Sequence, residues 1–158
     1  MAEGIEVEHV PTPTADAVAL IGELDAELGA AYEAQNRHGL SVERVFQPGV
    51  MFFVARLGGD AVGCGGVAFE DGFAEVKRMY VRPAARGRGV AQSILRRIER
   101  EAAARGVKRL TLETGDAQDA AIRLYQRAGF TRCAAFGAYL SKPASAIQRS
   151  VFFEKRFA

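Results

Sequence analysis

Two cysteines, two histidines and a net charge of +2 leave this 158-residue chain with little for the simplest functional readings to use. Cys64 and Cys133 are too few for a disulfide framework and lack metal-ligand spacing, so reduced, partly buried thiols are expected. His9 and His38 are isolated as well, and no metal is expected. With 21 Lys and Arg against 19 Asp and Glu, no globally basic surface exists to grip nucleic acid. No apolar run is long enough to span a bilayer, so no membrane partner is expected. The N-terminal "MAEGIEVEHVPTPTADAV" has neither the basic start nor the long apolar stretch of a signal peptide. One cytoplasmic domain over residues 1–158 is the expectation.

What the chain does have is a regular alternation of element signals. Ile5 to Val10 alternates apolar and polar residues as a half-buried strand does. "PTPTAD" then supplies a turn and a helix start, with Asp16 or Thr14 as N-cap. Val18, Leu20, Ile21, Leu24 and Leu28 mark a helix that Gly29 is expected to end. Between Tyr32 and Pro48 the pattern fits a second short helix and a loop. "VMFFVARL", "AVGCGGVAF" and "FAEVKRMYV" then read as three strands joined by turns at Gly58 to Asp60 and Glu70 to Gly72, an antiparallel meander. Glycines in the second of these suggest a bulge or a close backbone approach. A helix from Val90 to Arg105, a strand over "VKRLTLE", a helix carrying Ala121, Leu124, Tyr125 and Ala128, an extended Phe130 to Phe136 and a last strand "SVFFEKRF" complete the chain. The order β, helices, βββ, α, β, α, ββ predicts one mixed α/β layer.

The arginines are unevenly placed. Arg78, Arg82, Arg86, Arg88, Arg96, Arg97 and Arg100 fall in one stretch that includes the turn "VRPAARGRGVAQ". Amides at the start of a helix have no intrahelical partner, and the helix dipole adds positive charge there. Gly87 and Gly89 let the backbone curl and an anion approach, while Arg86 and Arg88 supply charged donors. The turn reads as a pyrophosphate cradle or as a solvated basic turn. It is not a Walker loop, because Gly-Lys-Ser/Thr is missing, and the dinucleotide fingerprint fails at Gln92.

The residues around the turn carry a resemblance. "RGRGVA" fits Gln/Arg-x-x-Gly-x-Gly/Ala through Arg86, Gly89 and Ala91, a signature of the GNAT superfamily of acyl-CoA-dependent N-acetyltransferases. "AEVKRMYVRP" resembles that superfamily's central strand, and "AAIRLYQRAGF" its second signature, so the likeness runs from Phe73 to Phe130. Gln118 departs from the pattern, standing where the family commonly has Asn. The resemblance implies an α/β GNAT fold: a single mixed, mostly antiparallel sheet with a splayed central parallel strand pair, flanked by helices. It implies acetyl-CoA as cosubstrate. Pyrophosphate would lie on Arg86, Gly87, Arg88, Gly89, Val90 and Ala91, pantetheine along Met79, Tyr80 and Val81, with Gln118 nearby. A homodimer is also compatible with it.

Amide formation from a thioester needs a base for the incoming ammonium, donors for the carbonyl oxygen and a proton for the leaving thiolate. Glu75 is the base candidate, directly or through water; its alternative is an ion pair with Lys77 or a nearby arginine. Tyr125 is the resemblance's acid toward sulfur, a phenol near pKa 10 facing a thiol near 8.5, or else a packing residue. A backbone amide between Met79 and Val81 would serve the oxyanion if a bulge frees one. "ETGD" at Glu113 to Asp116, Phe136 and Tyr139 are further acceptor-side candidates or simple packing and turn residues. The function expected is acetyl transfer to a primary amine of a small or amino-acid-like molecule in a ternary complex. Acetylation of protein N-termini, lysines or aminoacyl-tRNA, or a non-catalytic acyl-CoA-binding module, are the alternatives.

Overall fold

The computed structural model describes residues 4–157, so positions 1–3 and 158 of the expected domain lie outside the described residues. In chain order the elements are β1 (Ile5–His9), α1 (Ala15–Ala31), α2 (Val42–Val45), β2 (Val50–Leu57), β3 (Asp60–Glu70) and β4 (Phe73–Val81). They continue with α3 (Val90–Ala104), β5 (Arg109–Gly115), α4 (Asp119–Arg127), β6 (Thr131–Arg132), α5 (Ala144–Ile147) and β7 (Ser150–Arg156). One seven-stranded sheet runs in the order β1-β2-β3-β4-β5-β7-β6. All pairs are antiparallel except β4 and β5, which are parallel and joined through α3. The single mixed sheet expected from the sequence is the one observed.

Strand alternation gives the sheet two buried faces. On one, Val90, Ile94, Leu95 and Ile98 of α3 pack on Phe53, Val76, Leu110, Leu112 and Phe153. On the other, Leu20, Ile21 and Leu24 of α1 meet Phe52, Val54, Cys64 and Tyr80. Because β2 is covered on both sides, "VMFFVARL" is a continuous apolar run rather than an alternating one. Gly63 in β3 shows why glycine is needed there: a Cβ would sit 2.9 Å from both the Tyr80 carbonyl and a Val90 methyl.

Thr14, rather than Asp16, caps α1, its hydroxyl accepting from the Ala17 amide at 3.3 Å. The helix does not stop at Gly29 but runs on to Ala31, where the Tyr32 amide closes on the Leu28 carbonyl. A glycine ends a helix when it turns left-handed. Gly29 does not, and the buried Tyr32 anchors the end instead. The stretch from Phe130 to Phe136 is extended for only two paired residues. Phe136 and Tyr139 turn inward onto Phe152 and pull the chain off the sheet edge into the turn Gly137–Ser141.

Ile98 is fully buried at the centre of the α3 face. Ile98→Ala should lower unfolding free energy by about 2–5 kcal/mol, because the cavity left behind collapses only partly. A urea titration that shows a loss below about 1 kcal/mol would contradict this packing.

Candidate active site

The site begins where the parallel pair fails. Register between β4 and β5 holds for Ala74, Glu75 and Val76 against Leu110, Thr111 and Leu112, and ends there. Beyond it Lys77 to Val81 and Glu113 to Gly115 diverge, opening a cleft of about 710 Å³. On its other side β4 stays paired with β3, but the register shifts by one: Lys77 lies opposite Gly66, and Tyr80 opposite Cys64. The extra residue is a β-bulge at Arg78 and Met79. Arg78 has φ 59°, the one non-glycine residue in the left-handed region among the described residues. That conformation costs an L-residue roughly 1–2 kcal/mol.

The bulge decides which backbone groups face the cleft. The Arg82 amide bonds the Val62 carbonyl at 2.8 Å, so in an antiparallel ladder Tyr80 also pairs toward β3. Met79 and Val81 then turn their amides and carbonyls to the opposite edge, the one β5 has left. At the far end of the cleft, Gly87 (φ 79°) and Gly89 (φ 85°, the N-cap of α3) curl the backbone. Among the described residues, none of the amides from Gly87 to Gln92 has a hydrogen-bond partner. An extended acceptor-rich strip beside β4, ended by an anion on α3, would satisfy both sets.

At the fork, Glu75, Lys77, Glu113 and His38 line the cleft. Glu75 is 8% exposed; its Oε2 accepts from the Tyr139 hydroxyl at 2.7 Å and from Lys77 Nζ at 3.2 Å. Lys77 Nζ also donates to the His38 carbonyl at 3.0 Å. Glu113 Oε2 accepts from the Ser150 hydroxyl at 2.6 Å. Burial holds the Glu113 carboxyl above its ordinary value, against the Ser150 hydrogen bond and the charges of His38 and Lys77. Tyr125 lies on the other wall, its ring between Phe130 and Phe153. Its hydroxyl has no hydrogen-bond partner among the described residues, although it borders the cleft.

Comparison with known proteins agrees with this geometry. The model of the Acetyltransferase (GNAT) family matches residues 21–130. An IAA acetyltransferase of Azospirillum brasilense is 44% identical over 147 residues, 91% of this chain and 93% of the relative. The chain belongs to the GNAT acetyltransferase family. A solved Klebsiella pneumoniae chain assigned to the acyl-CoA N-acyltransferases is 34% identical, with a TM-score of 0.77 and 98% of each chain covered. A GNAT acetyltransferase of Elizabethkingia anophelis solved with acetyl-CoA shares the fold at 16% identity and TM-score 0.70, covering 98% of this chain and 99% of that one.

Within this GNAT frame the residues expected from the sequence separate. Met79, Tyr80, Val81, Arg86, Gly87, Gly89, Val90, Ala91, Gln118, Glu75 and Tyr125 all line one cleft. Arg88 does not; it borders a separate depression with Asp60 and Arg82. Arg86 lines the cleft but its guanidinium is engaged, donating to Glu27 at 2.7 Å and to the Val81 carbonyl at 2.9 Å. The cradle therefore rests on backbone amides more than on arginines. The Tyr80 hydroxyl is engaged, donating to Glu23 at 3.2 Å. Gln118 caps α4 without a side-chain bond to the helix. Both readings of Glu75 meet in one residue: it is ion-paired with Lys77, and it lines the cleft at the fork.

Arg78, His38 and the Tyr139 bond to Glu75 were not anticipated. A signal for the first exists in "EVKRMYV": Glu75 and Lys77 keep a period of two, then Arg78 and Tyr80 continue it one residue out of step. A one-residue slip in polar spacing is what a bulge produces.

Glu113 gives a pH test. Its native pKa lies above the ordinary 4.5, so between those values the folded chain holds a proton that the unfolded chain has lost. Its contribution to stability therefore falls as pH rises through that window. Glu113→Gln, which has no proton to lose, should gain stability relative to the parent as pH rises above about 4.5 in urea titrations. A difference that does not change with pH would contradict the raised value.

Proposed function

We propose that this acetyltransferase moves an acetyl group from acetyl-CoA to a primary amine of a small or amino-acid-like molecule, by direct attack in a ternary complex. The observation that carries the reading is the run of unpartnered amides from Gly87 to Gln92 at one end of a cleft whose other end holds Glu75. The name of the Azospirillum brasilense relative, an IAA acetyltransferase, supports a small-molecule acceptor.

In this reading acetyl-CoA supplies the acyl group and the thiolate that leaves. The α3 amides hold its diphosphate, and Met79 and Val81 pair with its pantetheine amides as a strand would. Glu75 accepts the acceptor's proton, directly or through water. Lys77 and Tyr139 donate to its Oε2, and Oε1 has no hydrogen-bond partner among the described residues. The amine nitrogen bonds the carbonyl carbon as the carbon–sulfur bond breaks. The freed Met79 amide faces the carbonyl oxygen as that oxygen gains charge.

Tyr125 faces the sulfur. Burial first, then the charge of Glu113, pushes its phenol above the ordinary 10.0, so it stays a neutral donor. Complete proton transfer would leave a buried phenolate that both influences oppose. Its contribution is therefore a hydrogen bond to sulfur as negative charge develops there.

Acetyl-CoA, unlike NAD or ATP, should raise the melting temperature, since a ligand that binds only the native state stabilises it. No shift with acetyl-CoA would remove the coenzyme-based reading. Tyr125→Phe should lower turnover by about 10²-fold, in thiol release with an amine the parent acetylates, while coenzyme affinity changes little. Unchanged turnover would remove Tyr125 from the reaction.

A further inference from the structure

Nothing in the chemistry above uses the Arg78 side chain, yet it lines the cleft and is held on several sides. Its side chain is 3% exposed, and Nη2 donates to Asp25 Oδ1 and to the Ile21 carbonyl, both on α1. Nε is buried with no partner. Gly39 presses against the other side, where a Cβ would overlap the guanidinium. The Arg78 carbonyl accepts from the buried Cys64 thiol at 3.4 Å. Burial pushes that thiol's pKa up to about 12, so the S–H donor persists at neutral pH. One peptide joins this carbonyl to the Met79 amide. Because a trans peptide sets C=O and N–H on opposite sides, holding the carbonyl at Cys64 turns the Met79 N–H the other way, toward the open edge.

A glycine would adopt φ 59° without strain. An arginine does so only where its surroundings over-determine it. A buried guanidinium with one carboxylate partner and an unsatisfied Nε is also a poor way to gain stability. Function explains its presence better than packing does. We infer that Arg78 is a positioning residue: tethered to α1 and boxed by Gly39, it fixes the β4 bulge and so aims the Met79 amide at the thioester carbonyl oxygen.

This inference rests on the acetyl-transfer reading, and one experiment separates the two. Isotope-edited infrared spectroscopy with acetyl-CoA labelled with carbon-13 at its carbonyl reads the hydrogen bond to that oxygen directly. In the parent, the bound carbonyl should absorb at lower frequency than the free one. Arg78→Gly tolerates the backbone angle but loses the tether. It should bind CoA with a dissociation constant within about threefold of the parent's and lose about half or more of the frequency shift. Gly39→Ala, at an exposed loop position, drives a methyl into the guanidinium and should produce the same loss. It decides the matter if Arg78→Gly fails to fold. A full shift in a folded variant overturns the inference, as does a parent that binds acetyl-CoA with no shift. A parent that binds no acetyl-CoA overturns the acetyl-transfer reading instead.

Discussion

Backbone groups left unpaired by the fold are what the rest of the site depends on. A buried amide or carbonyl without a partner is costly, and proteins rarely keep one. Here two sets lie together in one cleft: the β4 edge from Met79 to Val81, beyond the last β5 register at Val76–Leu112, and the first turn of α3. On β4 the free donors are the Met79 and Val81 amides, since the Val81 carbonyl already accepts from Arg86; on α3 they are the amides from Gly87 to Gln92. A ligand with amides along its length and a diphosphate at its end matches them without any side chain having to recognise it. In the proposed reading, this is how a chain with net charge +2 seats a diphosphate. The positive end of the α3 dipole supplies locally what composition does not.

Keeping those groups unpaired requires devices elsewhere. The short parallel ladder forces the splay, and β5 is held in place from its other side by a full seven-residue antiparallel pairing with β7. On β4 the bulge shifts which amides face outward, and left-handed Gly87 and Gly89 expose the α3 amides. The chemistry is then set by the two sheet faces. Ala74, Val76 and Met79 pack with the α3-side core, while Glu75 and Lys77 meet Tyr139 and His38 on the opposite side. Tyr125 reaches the cleft from α4, whose end is fixed by Gly129 and by the Phe130 amide bonding back to the Tyr125 carbonyl at 3.0 Å. Tyr125 and Glu75, the proposed sulfur-side donor and base, thus line the cleft from different elements.

Most of the frame was legible from local signals. Gly58 and Gly59, both left-handed, make the hairpin that their spacing promises, and the α3 stripe at Val90, Ile94, Leu95 and Ile98 is buried as its period implies. Elements whose ends are set by tertiary contacts were not. Gly29 gives way to the anchored Tyr32, and Phe130 to Phe136 is diverted by an aromatic cluster that Phe136 and Tyr139 form with the sequence-distant Phe152. In the site, strand and turn residues were readable because spacing controls them. The direction of a long side chain is not encoded in spacing. Arg86 turned to Glu27 because that carboxylate competes for it, and Arg88 borders a separate depression instead of the cleft. His38 joins the site from a loop far from any motif, held by its Nε2–H donating to the Ala146 carbonyl at 2.8 Å.

The central claim is that bare amides, rather than the turn's arginines, seat the diphosphate and so place the acyl carbonyl at the fork. A crystal structure with coenzyme A tests it directly. Diphosphate oxygens should lie within about 3 Å of amide nitrogens between Gly87 and Gln92, with the pantetheine alongside Met79 and Val81. A diphosphate found instead on Arg88, in the depression beside Asp60 and Arg82, would contradict the account.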